Sequence, residues 1–391
     1  MIRLLVQKSI RIFLILVGLF PARKKTIVFE SFLGKQFSCN PKAIYDYMLI
    51  HHPEYTLYWS VDRNYKQNFD DSELRVIERF TWKWLMVLGT SRYWVTNSRL
   101  PSYFKKPRHT TYIQTWHGTP LKKLVFDMEE VHMPGTTKEN YFKNFYNESR
   151  NWDFLISPNA YSSGIFKRAF KYDKPIPEVG YPRNDVLFNR NTLEDISEIK
   201  RNLKLPKDKK IILYAPTWRD NQHAGVGKYT FDLPIDLQKL QNEFGDKYIV
   251  ILRMHYLVAQ NLNLESYKDF AYDFSQSVDI NELYLISDVL ITDYSSVFFD
   301  YGNLKRPIIF YMYDLELYRD TLRGFYFNIE QDAPGPIAKN MEELEIHLHE
   351  VLSGGISKEY IEKYDAFYEK YCYLEDGFAT KRIVDKIVSK D

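Results

Sequence analysis

Four runs in the second half of the chain are apolar at nearly every position: 210–215 (KIILYA), 248–253 (YIVILR), 288–292 (DVLIT) and 307–311 (PIIFY). A strand with one wet face alternates polar and apolar residues, so a continuously apolar strand must be covered on both faces. Parallel sheets with helices above and below provide that cover. The first half carries a similar set at 26–30 (TIVFE), 56–60 (TLYWS), 74–77, 93–96 (YWVT), 111–115 (TYIQT) and 153–157 (DFLIS). Helical patterns lie between them at 41–51, 81–89, 138–149 and 161–170. The alternation occurs twice, and 391 residues are too many for one core. The pattern predicts an α/β chain of two Rossmann-like, doubly wound domains facing a cleft. The seam is expected near 191–208, a polar helical stretch that reaches Pro206. Residues 23–205 then form the first domain and 206–391 the second. The amphipathic last helix, 376–389, can pack back across the seam. There is no internal repeat and no low-complexity segment.

Residues 1–22 stand apart. The run IRIFLILVGLF at 10–20 is too short to span a bilayer, which needs about 20 residues. Arg11 lies within it and Arg3, Lys8, Arg23, Lys24 and Lys25 flank it, with no acid before Glu30 and no small-residue cleavage site. A short membrane-associating helix lying in an anionic lipid interface is expected. The net charge of +2 gives no case for a nucleic-acid partner. Residues 80–126 nevertheless carry eight Lys/Arg and no acid, which suits an anionic ligand or a plain solvated face. Cys39 and Cys372 are far apart, so neither a disulfide framework nor a zinc site follows, and a reducing cytoplasm fits.

Five motifs sit where doubly wound sheets bind ligands, beyond the carboxyl ends of strands. Trp116-His117-Gly118-Thr119-Pro120-Leu121 follows a strand. Histidine ordinarily titrates near neutrality, so His117 can take a proton from a hydroxyl, Gly118 permits close backbone approach, and Pro120 can start a helix facing a phosphate. Gly180-Tyr181-Pro182-Arg183-Asn184-Asp185 places Arg183 as a phosphate fork, although alone it reads as an ordinary turn. Tyr214-Ala215-Pro216-Thr217-Trp218-Arg219-Asp220 ends the first strand of the second half. Arg253-Met254-His255 ends the next, with two groups able to neutralise a diphosphate. Thr292-Asp293-Tyr294-Ser295-Ser296 ends another and opens a helix whose hydroxyls and amides can bind phosphate, with Asp300 at the same end. By itself that is a serine N-cap. No phosphate-loop or dinucleotide fingerprint is present, and no D-x-D pair points to a metal-bound diphosphate. His347 and His349, two apart on a helix, diverge and do not form a metal pair. No metal and no cofactor is expected.

Taken in order, WHGTPLK, GYPRND, APTWRD, RMH and TDYSSVFFD resemble the CDP-glycerol glycerophosphotransferases of teichoic-acid synthesis in Gram-positive bacteria, over roughly residues 25–385. The resemblance implies a GT-B type fold, peripheral attachment at the cytoplasmic face of the cell membrane, and transfer of glycerol phosphate from CDP-glycerol. The acceptor would be a lipid-linked disaccharide or teichoic acid chain, with release of CMP. It also implies that His117 is the general base and that Gly118, Thr119, Pro120 and Leu121 lie against the donor. Arg183 would contact the donor, and Pro216 and Thr217 would border the cytidine. Arg253, Met254 and His255 would bind the diphosphate, while Ser295 and Ser296 hold phosphate or ribose beside Asp300. The chain has little room beyond two halves, which leans towards a primase or short-chain transferase. CDP-ribitol stays open as the donor. The rival readings are a GT-B enzyme using nucleotide sugars and a membrane-bound scaffold of wall assembly in which His117 is incidental.

Overall fold

The computed structural model describes residues 2–69, 74–131, 136–217, 233–254, 263–276, 278–315 and 324–389. The chain forms two compact units. One comprises Met1–Gly118, Lys123–Asp185 and Leu374–Asp391; the other comprises Thr119–Lys122 and Val186–Tyr373.

In the first unit the strands are β1 (Arg23–Glu30), β2 (Thr56–Val61), β3 (Val76–Glu78), β4 (Ser91–Thr96), β5 (Thr111–Gln114) and β6 (Phe154–Leu155). They form one parallel sheet in the order β3-β2-β1-β4-β5-β6. That order reverses between β1 and β4, and this is the point where such sheets receive ligands. Phe29, Tyr45 and Trp59 fill the core with edge and stacked ring contacts. The last helix, Ala379–Val388, completes this core through Ile383, Val384 and Ile387. Its first turn is held by the Asp185 carboxylate, which accepts the N–H groups of Ala379 (2.9 Å) and Thr380 (2.7 Å). A large share of the GYPRND segment therefore serves packing.

The second unit repeats the plan. Its strands are β7 (Lys210–Tyr214), β8 (Tyr248–Leu252), β9 (Ala271–Asp273), β10 (Val289–Thr292), β11 (Ile308–Tyr311) and β12 (Ile337–Ala338). The parallel order is β12-β11-β10-β7-β8-β9. The order now reverses between β7 and β10. The four apolar runs are the four buried central strands, as their two-sided hydrophobicity requires. β9 and β12, three and two residues long, were not among the expected strands; a strand so short carries no periodicity of its own.

At the amino end, Ile2–Val17 is a 16-residue helix. Leu14 and Val17 are buried, and Phe13 meets Trp82 edge-on at 5.0 Å. Gly89 makes the close approach possible, since a Cβ there would lie 2.5 Å from Val17 Cγ1. Leu4, Leu5, Val6, Ile12, Ile15 and Leu16 remain exposed, and Trp82 beside them is 72% exposed. No helix among the described residues is long and apolar enough to cross a membrane.

Candidate active site

His117 lies three residues beyond β5, on a loop whose shape is set by hydrogen bonds rather than by regular structure. Trp116 takes a left-handed backbone, φ 52°. That conformation costs an ordinary residue about 1–2 kcal/mol. The Trp116 ring sits among Phe170 (4.7 Å), Phe166 (5.9 Å) and Phe145 (6.4 Å), and the His117 ring stacks on it at 4.6 Å. Phe32, from the loop after β1, meets the imidazole edge-on at 5.7 Å. His117 Nδ1 lies 2.8 Å from the Asn97 main-chain oxygen, at the end of β4. A carbonyl can only accept, so Nδ1 carries the proton and Nε2 presents its lone pair.

Three side chains lock this arrangement. Asn97 Oδ1 accepts the Phe32 N–H at 2.8 Å, tying the β1 and β4 loops together. Asn40, fully buried in the first turn of the helix Cys39–His51, donates through Nδ2 to Thr115 O (3.2 Å) and Trp116 O (3.3 Å). Its Oδ1 accepts the Arg183 N–H at 3.1 Å. Arg183 Nη1 then donates to the His117 carbonyl at 2.8 Å and approaches Cys39 Sγ at 3.2 Å. Arg183 is thus joined to His117 through the loop's backbone, a partnership the motifs did not indicate.

His117 is exposed at its surface, yet the packed protein around it pushes its pKa down to about 4. Burial is the main cause. The Asn97 carbonyl opposes the fall and the Arg183 charge adds to it. The imidazole is therefore neutral at pH 7, the form a general base needs.

The motif continues into the second unit, where Thr119–Lys122 belongs by its contacts. The helix expected from Pro120 is absent. Leu121 O instead accepts the Tyr326 N–H at 2.9 Å, and Lys122 pairs antiparallel with Phe325, so these main-chain groups are taken by a strand-like contact.

At the β7/β10 reversal of the second unit, the Thr217 N–H donates to buried Asp293 Oδ1 at 2.7 Å, and Thr292 Oγ1 donates to Ala215 O at 2.7 Å. These bonds bring Pro216 and Thr217 beside the loop bearing Ser295 and Ser296. Among the described residues neither serine side chain makes a hydrogen bond, and Ser296 does not cap the helix Val297–Tyr301 that follows. That helix has only five residues, so its dipole is a minor part of any anion site. Asp300 is buried within it.

Arg253 joins the β7 end through its N–H to Tyr214 O (2.9 Å), while its guanidinium donates to the Phe274 carbonyl. Burial lowers its pKa, and the charges of Asp279 and Asp273 oppose that. The Met254 N–H donates to Ser275 Oγ at 2.9 Å. His255, and Trp218, Arg219 and Asp220 of the APTWRD motif, lie outside the described residues.

Sequence reasoning missed Asn40, Asn97 and Asp293. The only signals were an Asn before a helix-starting Pro, and polar residues closing apolar strands.

The chain matches the model of a family described as CDP-Glycerol:Poly(glycerophosphate) glycerophosphotransferase over residues 12–389. It is 54% identical to the teichoic acid poly(glycerol phosphate) polymerase of Bacillus spizizenii, over 95% of this chain and 94% of that protein. It is 53% identical to the protein of the same name from Bacillus subtilis over 98% of this chain, but spans about half (51%) of that longer relative. The solved structure of the wall teichoic acid polymerase TagF superposes with a TM-score of 0.91 at 45% identity, covering 100% of this chain and 95% of that one.

Proposed function

The chain belongs to the CDP-glycerol:poly(glycerophosphate) glycerophosphotransferase family, and we propose that it transfers glycerol phosphate from CDP-glycerol to a hydroxyl of a lipid-linked teichoic acid acceptor. The acceptor oxygen attacks the β-phosphorus and forms the new O–P bond. The bond to the bridging oxygen breaks, and CMP leaves with its electron pair. The hydroxyl proton goes to His117 Nε2. The observation that carries this reading is the bond from His117 Nδ1 to the Asn97 carbonyl, which fixes the tautomer with a free Nε2. A pKa held below the usual histidine range keeps that nitrogen unprotonated.

Phosphoryl transfer depends on positioning and on neutralising charge more than on covalent help. On this reading the uncommitted hydroxyls of Ser295 and Ser296 bind donor phosphate or ribose. Pro216 and Thr217, ordered by Asp293, border the cytidine. Gly118, Thr119, Pro120 and Leu121 lie along the donor. Arg253, Met254 and His255 supply diphosphate contacts, with Asp300 beside the serines, and Arg183 both contacts the donor and holds the His117 loop. The exposed apolar face of Ile2–Val17, with Lys8, Arg11, Arg23, Lys24 and Lys25, attaches the enzyme peripherally to the cytoplasmic leaflet.

Incubation with CDP-glycerol, CDP-ribitol or a UDP-sugar and a lipid-linked acceptor analogue tests the assignment. CMP release with an acceptor heavier by one glycerol phosphate is expected, and UDP release would overturn it. His117→Ala should lower kcat by about 10²–10⁴-fold with donor affinity nearly intact. Full turnover of that variant would remove His117 from the chemistry.

A further inference from the structure

Arg99 is a cation held in place with its donors unspent. Its guanidinium lies over Phe145 (4.7 Å) and Tyr141 (5.4 Å), which are four apart on one face of the helix Lys138–Ser149. Among the described residues it makes no hydrogen bond and no ion pair. The carboxylate whose charge bears on it, Glu148, is buried and raised to about 7, and its Oε1 already accepts the Tyr112 hydroxyl (2.9 Å) and the Leu100 N–H (3.3 Å).

The backbone carrying Arg99 is fixed from beneath. Ser98 O accepts Thr96 Oγ1 (2.8 Å) and Gln114 Nε2 (3.2 Å), and on the other side of Arg99 the Leu100 N–H donates to Glu148 Oε1 (3.3 Å). Two residues before Arg99, the Asn97 carbonyl receives His117 Nδ1. The aromatic platform is shared as well, since Phe145 also packs on Trp116 at 6.4 Å, and Trp116 stacks on His117. A guanidinium whose face is covered by rings offers its in-plane N–H groups, the geometry that matches a phosphate fork-to-fork.

We propose that Arg99 is a specificity residue that binds a phosphodiester of the acceptor chain, and so presents the terminal hydroxyl of an already phosphorylated acceptor to His117. This rests on the transferase reading above. The same chemistry could come from the donor's diphosphate, so the test separates the two sources.

Arg99→Ala and Arg99→Lys would be compared with wild type on two acceptors. One is a lipid-linked disaccharide without phosphate; the other is the same molecule carrying one glycerol phosphate. Steady-state constants for CDP-glycerol and for each acceptor would be measured, with thermal melts as a control. Arg99→Ala should raise KM for the phosphorylated acceptor at least about tenfold more than for the phosphate-free one. Its effect on the CDP-glycerol KM should be smaller than on either, and Arg99→Lys should recover only part of the loss. Equal losses on both acceptors, or a rise confined to the CDP-glycerol KM, would overturn the proposal.

A parallel titration of the phosphorylated acceptor, without donor, reads binding directly. If wild type transferred nothing, the transferase reading would fail, while this titration would still decide on Arg99. Equal affinity of wild type and Arg99→Ala for that acceptor would end the proposal.

Discussion

Replacing Asn40 separates a residue that merely stabilises the fold from one that aims the base. Asn40→Ala deletes three hydrogen bonds at a fully buried site. At about 1 kcal/mol net each, the variant should lose about 3 kcal/mol of stability, less if water enters the space. The kinetic effect has a different origin. Trp116 keeps its left-handed backbone because Asn40 donates to carbonyls on both sides of the turn. Without those bonds, relaxation gains the about 1–2 kcal/mol of strain and depletes the productive orientation of His117. At 1.36 kcal/mol per tenfold, kcat should fall about 5- to 30-fold. Asn40→Asp should do no better: it keeps an acceptor for the Arg183 N–H but turns a carboxylate oxygen towards two carbonyl oxygens. The assay is CMP release from CDP-glycerol under saturating acceptor, with thermal melts in parallel. Because Asn40 acts through His117, the double variant Asn40→Ala/His117→Ala should be no slower than His117→Ala alone. Multiplying losses, or a lower melting temperature with wild-type kcat, would refute the reasoning.

The acid limb of the kcat/KM profile should fall below pH 6.5, because burial depresses the folded pKa of His117. The unfolded chain binds this proton more readily, so the associated stability is full above pH 6.5 and is lost as pH falls from there towards 4. Urea melts of wild type should therefore lose stability more steeply over that window than those of His117→Asn. The double variant Ser295→Ala/Ser296→Ala should weaken CDP-glycerol binding at least about tenfold by calorimetry, since hydrogen bonds to charged oxygens are worth about 1.5–3 kcal/mol each; unchanged affinity would remove both from the site. Leu5→Asp or Leu16→Asp should cut binding to anionic vesicles by about tenfold or more with an unaltered melt, as each buries an exposed leucine worth about 1.5–3 kcal/mol. Leu14→Asp, by contrast, should lower the melting temperature, because Leu14 is already buried in the protein.

Some of this protein was written in the chain itself. Two-sided hydrophobicity at 210–215, 248–253, 288–292 and 307–311 required covered parallel strands, and they are there. The motifs marked strand ends, where side chains leave the sheet, so His117, Thr217 and Ser295 were legible as loop residues. What only tertiary structure decided was partnership. Gly180–Asp185 was read for its arginine, yet Asp185 spends both oxygens on a helix nearly two hundred residues later. The Asn40–Pro41 pair marked only a helix start and said nothing of its three partners, which lie 75, 76 and 143 positions away. Periodicity reports which face of an element is buried, because burial is a property of a few neighbouring residues. The direction of one imidazole is set by hydrogen bonds between distant loops, and those distances exist only once the sheet has closed.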